Sequence, residues 1–97
     1  MIVNERETPK GLLVSVCDPD ILGETFENGN VSLTVTEDFY GGEEVDEAQV
    51  IESLDRAAVA NLVGVQTIEL AIEHGFVAEG NVLEIGETVH AQFLRMR

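Results

Sequence analysis

The chain has 97 residues, a length that buries enough surface for a core without metals or disulfides, so we expect one domain. It has four phenylalanines, one tyrosine, no tryptophan and a single cysteine, Cys17, which excludes an internal disulfide, and no apolar run approaches the roughly 20 residues of a membrane span. Nineteen acidic residues against five basic ones give a formal net charge of −14, which excludes the basic stripe of a DNA-binding protein.

The first third of the chain predicts a strand, a short helical corner and a hairpin. The apolar run Gly11–Cys17 is typical of a buried strand. Asp18 precedes a proline, a pair that favours the N-cap and first residue of a short helical corner. Asn28-Gly29 tolerates the positive φ of a tight turn, and the alternation of apolar and polar residues over 31–36 predicts a half-buried strand after it.

A loop is predicted for residues 37–45. It contains the adjacent glycines Gly41 and Gly42 after two aromatic residues, Phe39 and Tyr40, one of which we expect to pack back onto the core. Such a loop either only connects a strand to a helix or contacts a ligand or partner. Both interpretations stay open at this point, and Tyr40 and Gly42 are retained as candidate binding residues.

Two helices are predicted next. Asp46 forms a capping box with the glutamine three residues later, and apolar residues at helical spacing extend the predicted helix from Glu47 to Leu62, where Gly64 ends it. The sequence "VQTIELAIEHG" predicts a second helix that ends at Gly75. A histidine in its last turn interacts favourably with the carbonyl end of the helix.

Two strands are predicted at the end of the chain, Asn81–Ile85 and Thr88–Leu94, joined by a tight turn at Gly86. Alternation along the second strand places His90 and Gln92 on one face together. The opposite face carries Val89, Ala91 and Phe93. The order of elements predicts an α+β fold in which a largely antiparallel sheet of four to five strands has two helices packed on one face.

One constellation of residues could support chemistry or binding. It consists of Cys17 and Asp18 after the first strand, Asn61 near the end of the predicted long helix, and His90 with Gln92. A thiolate, an imidazole and a carboxylate or amide act as nucleophile, base and orienting group only if they converge within hydrogen-bond reach. The structural alternatives are a buried, inert Cys17, a helix-capping Asp18, an Asn61 that bonds to backbone groups, and a His90 that is an ordinary strand residue.

The remaining patterns concern charge and cofactors. The acidic residues are scattered from Glu5 to Glu87, and their mutual repulsion is screened when the Debye length falls to about 3 Å at 1 M salt. We therefore interpret the acidity as the solvated surface of a halophilic, cytoplasmic protein. Neither zinc-type spacing of His and Cys nor a glycine-rich phosphate loop occurs, so we expect no metal and no cofactor.

Five segments resemble an archaeal family known as domain of unknown function 424. They are "VCDPDILGETF", "FYGGEEVDE", "ANLVG", "LAIEHGFV" and "VHAQ", and together they extend the resemblance from about Leu12 to Gln92. The chain departs from the family pattern at Glu24, where members often have lysine, and at Val89, where they often have proline. The resemblance implies an archaeal cytosolic protein associated with translation and ribosome maturation, and it brings no assigned activity.

Three hypotheses follow. The first is a non-enzymatic interaction module that contacts protein or RNA of the translation or ribosome machinery through the Phe39–Gly42 loop and the face of His90 and Gln92. The second is a small hydrolase or RNA-modifying enzyme that uses Cys17, Asp18 and His90. The third, compatible with either, is a homodimer that pairs through an exposed edge of the sheet.

Overall fold

A six-stranded sheet forms the centre of the protein. The computed structural model describes residues 1–95 and contains, within that range, eight strands and three α-helices. The strands are β1 (Ile2–Thr8), β2 (Gly11–Cys17), β3 (Thr25–Asn28), β4 (Val31–Thr34), β5 (Glu43–Glu44), β6 (Val59–Val63), β7 (Leu83–Ile85) and β8 (Thr88–Leu94). The α-helices are α1 (Glu37–Tyr40), α2 (Glu47–Arg56) and α3 (Val65–Glu73).

The strand order across the sheet is β5-β1-β2-β6-β8-β7, while β3 and β4 form a separate hairpin. All neighbours in the sheet are antiparallel except β2 and β6, which run parallel. The predicted α+β fold with a largely antiparallel sheet is therefore confirmed. The predicted numbers were wrong, because residues 1–95 form six strands in the sheet, two more in the hairpin, and three helices rather than two.

β1 was not predicted from the sequence. It pairs with β2 over seven residues, from Ile2 opposite Cys17 to Thr8 opposite Gly11. On its other side β5 pairs with Ile2 and Val3 only. Residues 5–7, Glu-Arg-Glu, are exposed on both faces of the strand. The apolar alternation by which a strand is recognised is therefore absent from β1.

The predicted helix from Glu47 to Leu62 was wrong in its second half. α2 begins as predicted after Asp46, whose side chain accepts a hydrogen bond from the backbone three residues later at 3.0 Å, but it ends at Arg56. Ala57 already has extended backbone angles, and Val59–Val63 is β6, between β2 and β8. A short apolar run fits a buried strand as well as a helix, so periodicity alone could not separate them.

Smaller differences concern the ends of elements and the predicted loop. Residues 37–45, predicted as a loop, contain α1 and β5. The strands predicted over 31–36 and 81–85 are shorter, at Val31–Thr34 and Leu83–Ile85. β2, β8 and the short corner at Pro19–Ile21 lie where they were predicted.

The two faces of the sheet carry different cores. α2 and α3 pack on what we call the helix-side face. Its buried core consists of Val14, Val16, Val50, Leu54, Ala57, Ala60, Leu62, Ile68, Leu70, Ala71, Val77 and Ala91. On the opposite face, which we call the second face, the β3–β4 hairpin and α1 cover one end of the sheet. This second core consists of Ile2, Cys17, Val35, Tyr40 and Val63. α1 thus departs from the prediction that the helices share one face.

None of the helices in the described part of the chain combines the length and the apolar character needed to cross a membrane.

Candidate functional site

The uncovered part of the second face presents two parallel rows of side chains, which together with Arg6 we call the open face. The polar row consists of Asn4, Ser15, Asn61 and Gln92, which lie opposite one another in register on β1, β2, β6 and β8. The apolar row lies two residues away along the same strands and consists of Leu13, Val59 and Leu94. Since neighbouring strands are about 4.8 Å apart, the polar row spans roughly 14 Å.

The polar row offers amide and hydroxyl groups at the surface. The side chain of Asn4 donates a hydrogen bond to the carbonyl oxygen of Gly41 at 2.6 Å. Ser15 is 2% exposed and forms the floor of the row, whereas Asn61 is half-buried and Gln92 is exposed. Within residues 1–95, every buried side-chain oxygen or nitrogen has a hydrogen-bond partner. The unpaired donors and acceptors of this row are therefore those that solvent, or a ligand, reaches.

The apolar row is not packed against either core. Leu94 is 66% exposed, and Leu13 and Val59 are half-buried although neither belongs to the helix-side core or the second core. No Asp or Glu belongs to either row, in a chain with 19 acidic residues. The one charged group of the open face is Arg6, whose guanidinium donates to the carbonyl oxygen of Asp38 at 2.7 Å. The open face therefore combines uncharged polar groups and aliphatic surface with a single cation.

His90 lies beside this face, as the alternation along β8 predicts. Its partners in register are Val63 on β6 and Leu83 on β7, and Gln92 is two residues further along the same face. His90 is half-buried, and this burial lowers the pKa of its imidazole below the usual 6.5. A neutral imidazole has one donor and one acceptor nitrogen, which suits recognition of an uncharged polar group.

Cys17 and His90 are on the same face but are not close enough to react together. β6 runs between their strands, and Val63 is opposite both residues. Two strand spacings amount to about 10 Å, which is well beyond hydrogen-bond reach. Cys17 is completely buried, and burial, aided by the charge of Asp18, raises the pKa of its thiol to about 11. The structure thus gives Cys17 the inert, buried role rather than that of a nucleophile.

Asp18 caps a helix, but not the helix that its sequence neighbours suggest. Its carboxylate accepts hydrogen bonds from Gln66 N at 3.0 Å and from Thr67 N and Thr67 Oγ1 at 2.8 Å each, so it caps α3. The corner at Pro19–Ile21 has no side-chain cap. Gly64, with φ of 111°, lies directly against Asp18, where a Cβ would overlap the carboxyl group. With all these contacts Asp18 is 5% exposed and structural.

The two aromatic side chains of the segment Phe39–Gly42 also face inward, whereas Gly42 is exposed. Tyr40 is 3% exposed within the second core, and burial raises the pKa of its hydroxyl to about 12. Phe39 packs edge-on against it, with ring centroids 5.1 Å apart. At Gly42 a Cβ would overlap the carbonyl of Val3, so the glycine permits close packing of this segment on β1. Tyr40 and Gly42, both predicted as candidate binding residues, therefore serve packing.

Of the predicted site residues, the structure brings Asn61, His90 and Gln92 together. Asn61 was placed near the end of a helix, which was wrong, because it lies in the middle of β6 opposite Gln92. Asn4 and Ser15 were missed. Their only sequence signal is a polar residue within a strand, and its meaning depends on which residue lies opposite. In residues 1–95, no group of three or more His, Cys, Asp or Glu side chains is arranged to hold a metal ion.

Comparison with known proteins agrees with the resemblance seen in the sequence. The family model described as "Protein of unknown function (DUF424)" matches residues 5–96. The chain belongs to this family. A solved structure similar to this DUF424 protein is the "Crystal structure of an uncharacterized conserved protein from Methanopyrus kandleri", at 20% sequence identity and a TM-score of 0.79. The similarity covers 99% of this chain and 94% of that chain, and at this identity it shows a shared fold. No curated protein matches the chain.

Proposed function

We propose that this DUF424 protein is a non-enzymatic interaction module that binds a protein of the translation or ribosome machinery through its open face. The observation that carries the proposal is the pair of rows on the open face, which contain no charged residue and leave Asn61, Gln92 and Leu94 accessible in an otherwise strongly acidic molecule. The centres of protein–protein interfaces are depleted in charged residues and have a polar rim. Leu94 at 66% exposure is the most accessible apolar group of this surface.

A protein partner fits this surface better than RNA does. Sheets that bind RNA stack bases on aromatic side chains, and the open face has only aliphatic and polar ones. At contact distance, where salt screens charges least, an acidic surface repels a phosphate backbone and attracts a basic protein. We therefore propose a basic protein partner that covers Leu13, Val59 and Leu94 and bonds to the amides of the polar row.

The same geometry ranks the other two hypotheses lower. A small hydrolase or RNA-modifying enzyme would need Cys17 and His90 in contact, and Val63 lies between them. An edge-paired homodimer would have to use the outer side of β1 beyond Val3 or of β8 beyond His90, which β5 and β7 leave unpaired. The exposed middle of β1 is the charged sequence Glu-Arg-Glu, and charged side chains along an edge are one of the ways in which proteins block edge pairing.

The test is affinity capture from cells of the source organism with two matched variants. Leu94→Glu places a carboxylate on the open face, and Val65→Glu places one on α3 at a similarly exposed apolar position, 50% exposed. We expect wild type and Val65→Glu to retain a ribosomal or translation protein that Leu94→Glu loses. Loss of the captured protein after ribonuclease treatment would indicate RNA instead. Equal capture by all three chains would contradict docking at the open face.

We also propose that this is a cytoplasmic archaeal protein adapted to high salt. The support is the excess of carboxylates, whose repulsion weakens as the Debye length shortens from about 30 Å at 0.01 M to about 3 Å at 1 M salt. The unfolding temperature should accordingly rise between 0.01 and 1 M potassium chloride. A flat or falling unfolding temperature over this range would refute the adaptation.

A further inference from the structure

A second region of the molecule gathers positive charge. A cavity of about 270 Å³ is lined by the turn between β1 and β2, the segment after α2 and the residue after β8. Its lining includes Lys10, Arg56 and Arg95, which are three of the five basic residues in the chain. A chain with almost four acidic residues for each basic one would be expected to surround every cation with carboxylates.

The three cations differ in how their charge is compensated. Arg56 is paired with Glu5 at 2.6 Å and with Glu52 at 3.6 Å. In the described range 1–95, neither Lys10 nor Arg95 forms an ion pair with a carboxylate. Two cations that have no carboxylate partner within residues 1–95 thus line one small cavity.

Arg95 is held rigidly, as a binding group needs to be. Its Nη1 donates to the carbonyl oxygens of Asp55 at 2.7 Å and Ala57 at 3.4 Å, and its guanidinium lies over the ring of Phe93 with 5.0 Å to the ring centre. Both hydrogen bonds use one nitrogen. Within residues 1–95, Nε and Nη2 donate no hydrogen bond, and a planar guanidinium with two such donors matches the geometry of an oxyanion.

We propose that the cavity lined by Lys10, Arg56 and Arg95 binds a phosphate group. Arg95 supplies two oriented donors, Lys10 adds a mobile ammonium from the exposed turn, and Arg56 adds charge that Glu5 and Glu52 reduce. A cavity of this volume is slightly smaller than the roughly 300–1,000 Å³ of usual small-ligand sites, which favours a phosphate group over a larger anion. This site is separate from the open face, and it does not depend on the proposed function.

Carboxylates near the cavity set the strength of binding. Besides Glu5 and Glu52, Glu7 lies opposite Leu12, which is part of the lining. Together with the net charge of −14, these carboxylates lower the affinity of the site for an anion and limit its attraction for anions to the cavity itself. Binding is therefore expected to be seen as local changes at saturating phosphate rather than as a high affinity.

The experiment is a titration of the full chain with sodium phosphate, followed by the NMR shifts of the backbone amides, against sodium chloride at equal ionic strength. We expect phosphate, and not chloride, to shift the amides of Gly11, Ala58 and Arg95. Lys10→Gln should weaken phosphate binding about tenfold, which corresponds to about 1.4 kcal/mol for one charge-assisted hydrogen bond. Arg6→Gln, with the same loss of charge on the open face, is the matched control and should bind as wild type does.

Two further arms identify the source of the phosphate. A 5′-phosphorylated dinucleotide that binds more tightly than inorganic phosphate would support the site and indicate a nucleic-acid end as its source. Inorganic phosphate binding at least as tightly would support it as a site for the free ion. Shifts that chloride reproduces, or that Lys10→Gln leaves unchanged, would overturn the proposal.

Discussion

The same strands form both faces of the sheet, but the two faces differ in how completely other elements cover them. On the helix-side face every apolar position of β2, β6 and β8 meets a side chain of α2 or α3 or a neighbour within a single core. On the second face the hairpin and α1 cover one end, and within residues 1–95 the rows beyond it have no partner except in the bond from Asn4 to Gly41. Stability is therefore concentrated on the first face, and the recognition that we propose on the second.

The comparison also explains the distribution of polar residues. Buried polar side chains beside the cores bond within the protein: Asp18 caps α3, and Ser53 donates to Glu5 between α2 and β1. The polar row, in contrast, retains groups that only Asn4 uses within the protein, in its bond to Gly41. Bonded polar groups hold a fold together, whereas unpaired ones at a surface are donors and acceptors for a partner.

The largest expected effect is a truncation in the helix-side core. Leu54 is completely buried between α2 and the sheet, so Leu54→Ala should lower the free energy of unfolding by about 3 kcal/mol through lost burial and a cavity. Leu94→Ala removes the same atoms from the open face and should change the free energy of unfolding by less than about 0.5 kcal/mol. Denaturant unfolding at fixed salt measures both, and equal losses would show that the two faces do not differ in this way.

A smaller loss is expected where the two faces meet, at the cap that joins β2 to α3. Asp18→Ala removes three hydrogen bonds and leaves donors of α3 and Thr67 unpaired in a buried site, which should cost about 2 kcal/mol. Asp46→Ala removes the single exposed cap bond of α2 and should cost about 1 kcal/mol. Denaturant unfolding compares the two. A loss for Asp18→Ala no greater than for Asp46→Ala would contradict the buried-cap assignment.

The elements that the sequence predicted are those whose signal is local. β2, the hairpin at Asn28-Gly29, the start of α2, α3 and β8 each have a run, a turn or a cap within a few residues. β1 lacks such a signal because its middle is charged and exposed on both faces. β6 was mistaken for helix because its apolar run follows a helix directly and becomes a strand only between β2 and β8.

The sequence predicted only the part of the candidate site that lies on a single strand. His90 and Gln92 share a face by alternation alone, so the sequence sufficed for this pair. Asn61 was noticed for its residue type but was placed on the wrong element. Asn4 and Ser15 belong to the site only through register across four strands, which the sequence does not state. Asp18 was recognised as a cap, but the amides that it binds lie 48 and 49 residues further along.

The smallest expected effect is a dependence of stability on pH that comes from His90, at the border between the covered and open parts of the second face. Burial holds the pKa of this imidazole below its ordinary value of 6.5. The unfolded chain therefore takes up the proton at a higher pH than the folded protein does. Linkage then requires the free energy of unfolding to fall as the pH drops below about 6.5, and the loss to be complete once the pH is below the folded pKa.

His90→Gln should remove this contribution, so the variant should lose less stability than wild type between pH 7.5 and 5.5, as measured by urea unfolding at constant ionic strength. Gln92→Ala, which changes an exposed neighbour on the same strand and keeps both histidines, is the control and should show the wild-type dependence on pH. The carboxylates of the chain affect all three proteins alike, so the difference between the curves isolates the one imidazole. If His90→Gln instead follows the wild-type curve, His90 is not shielded from solvent in the folded protein. It would then belong to the open face, and the covered part of the second face would end closer to the second core.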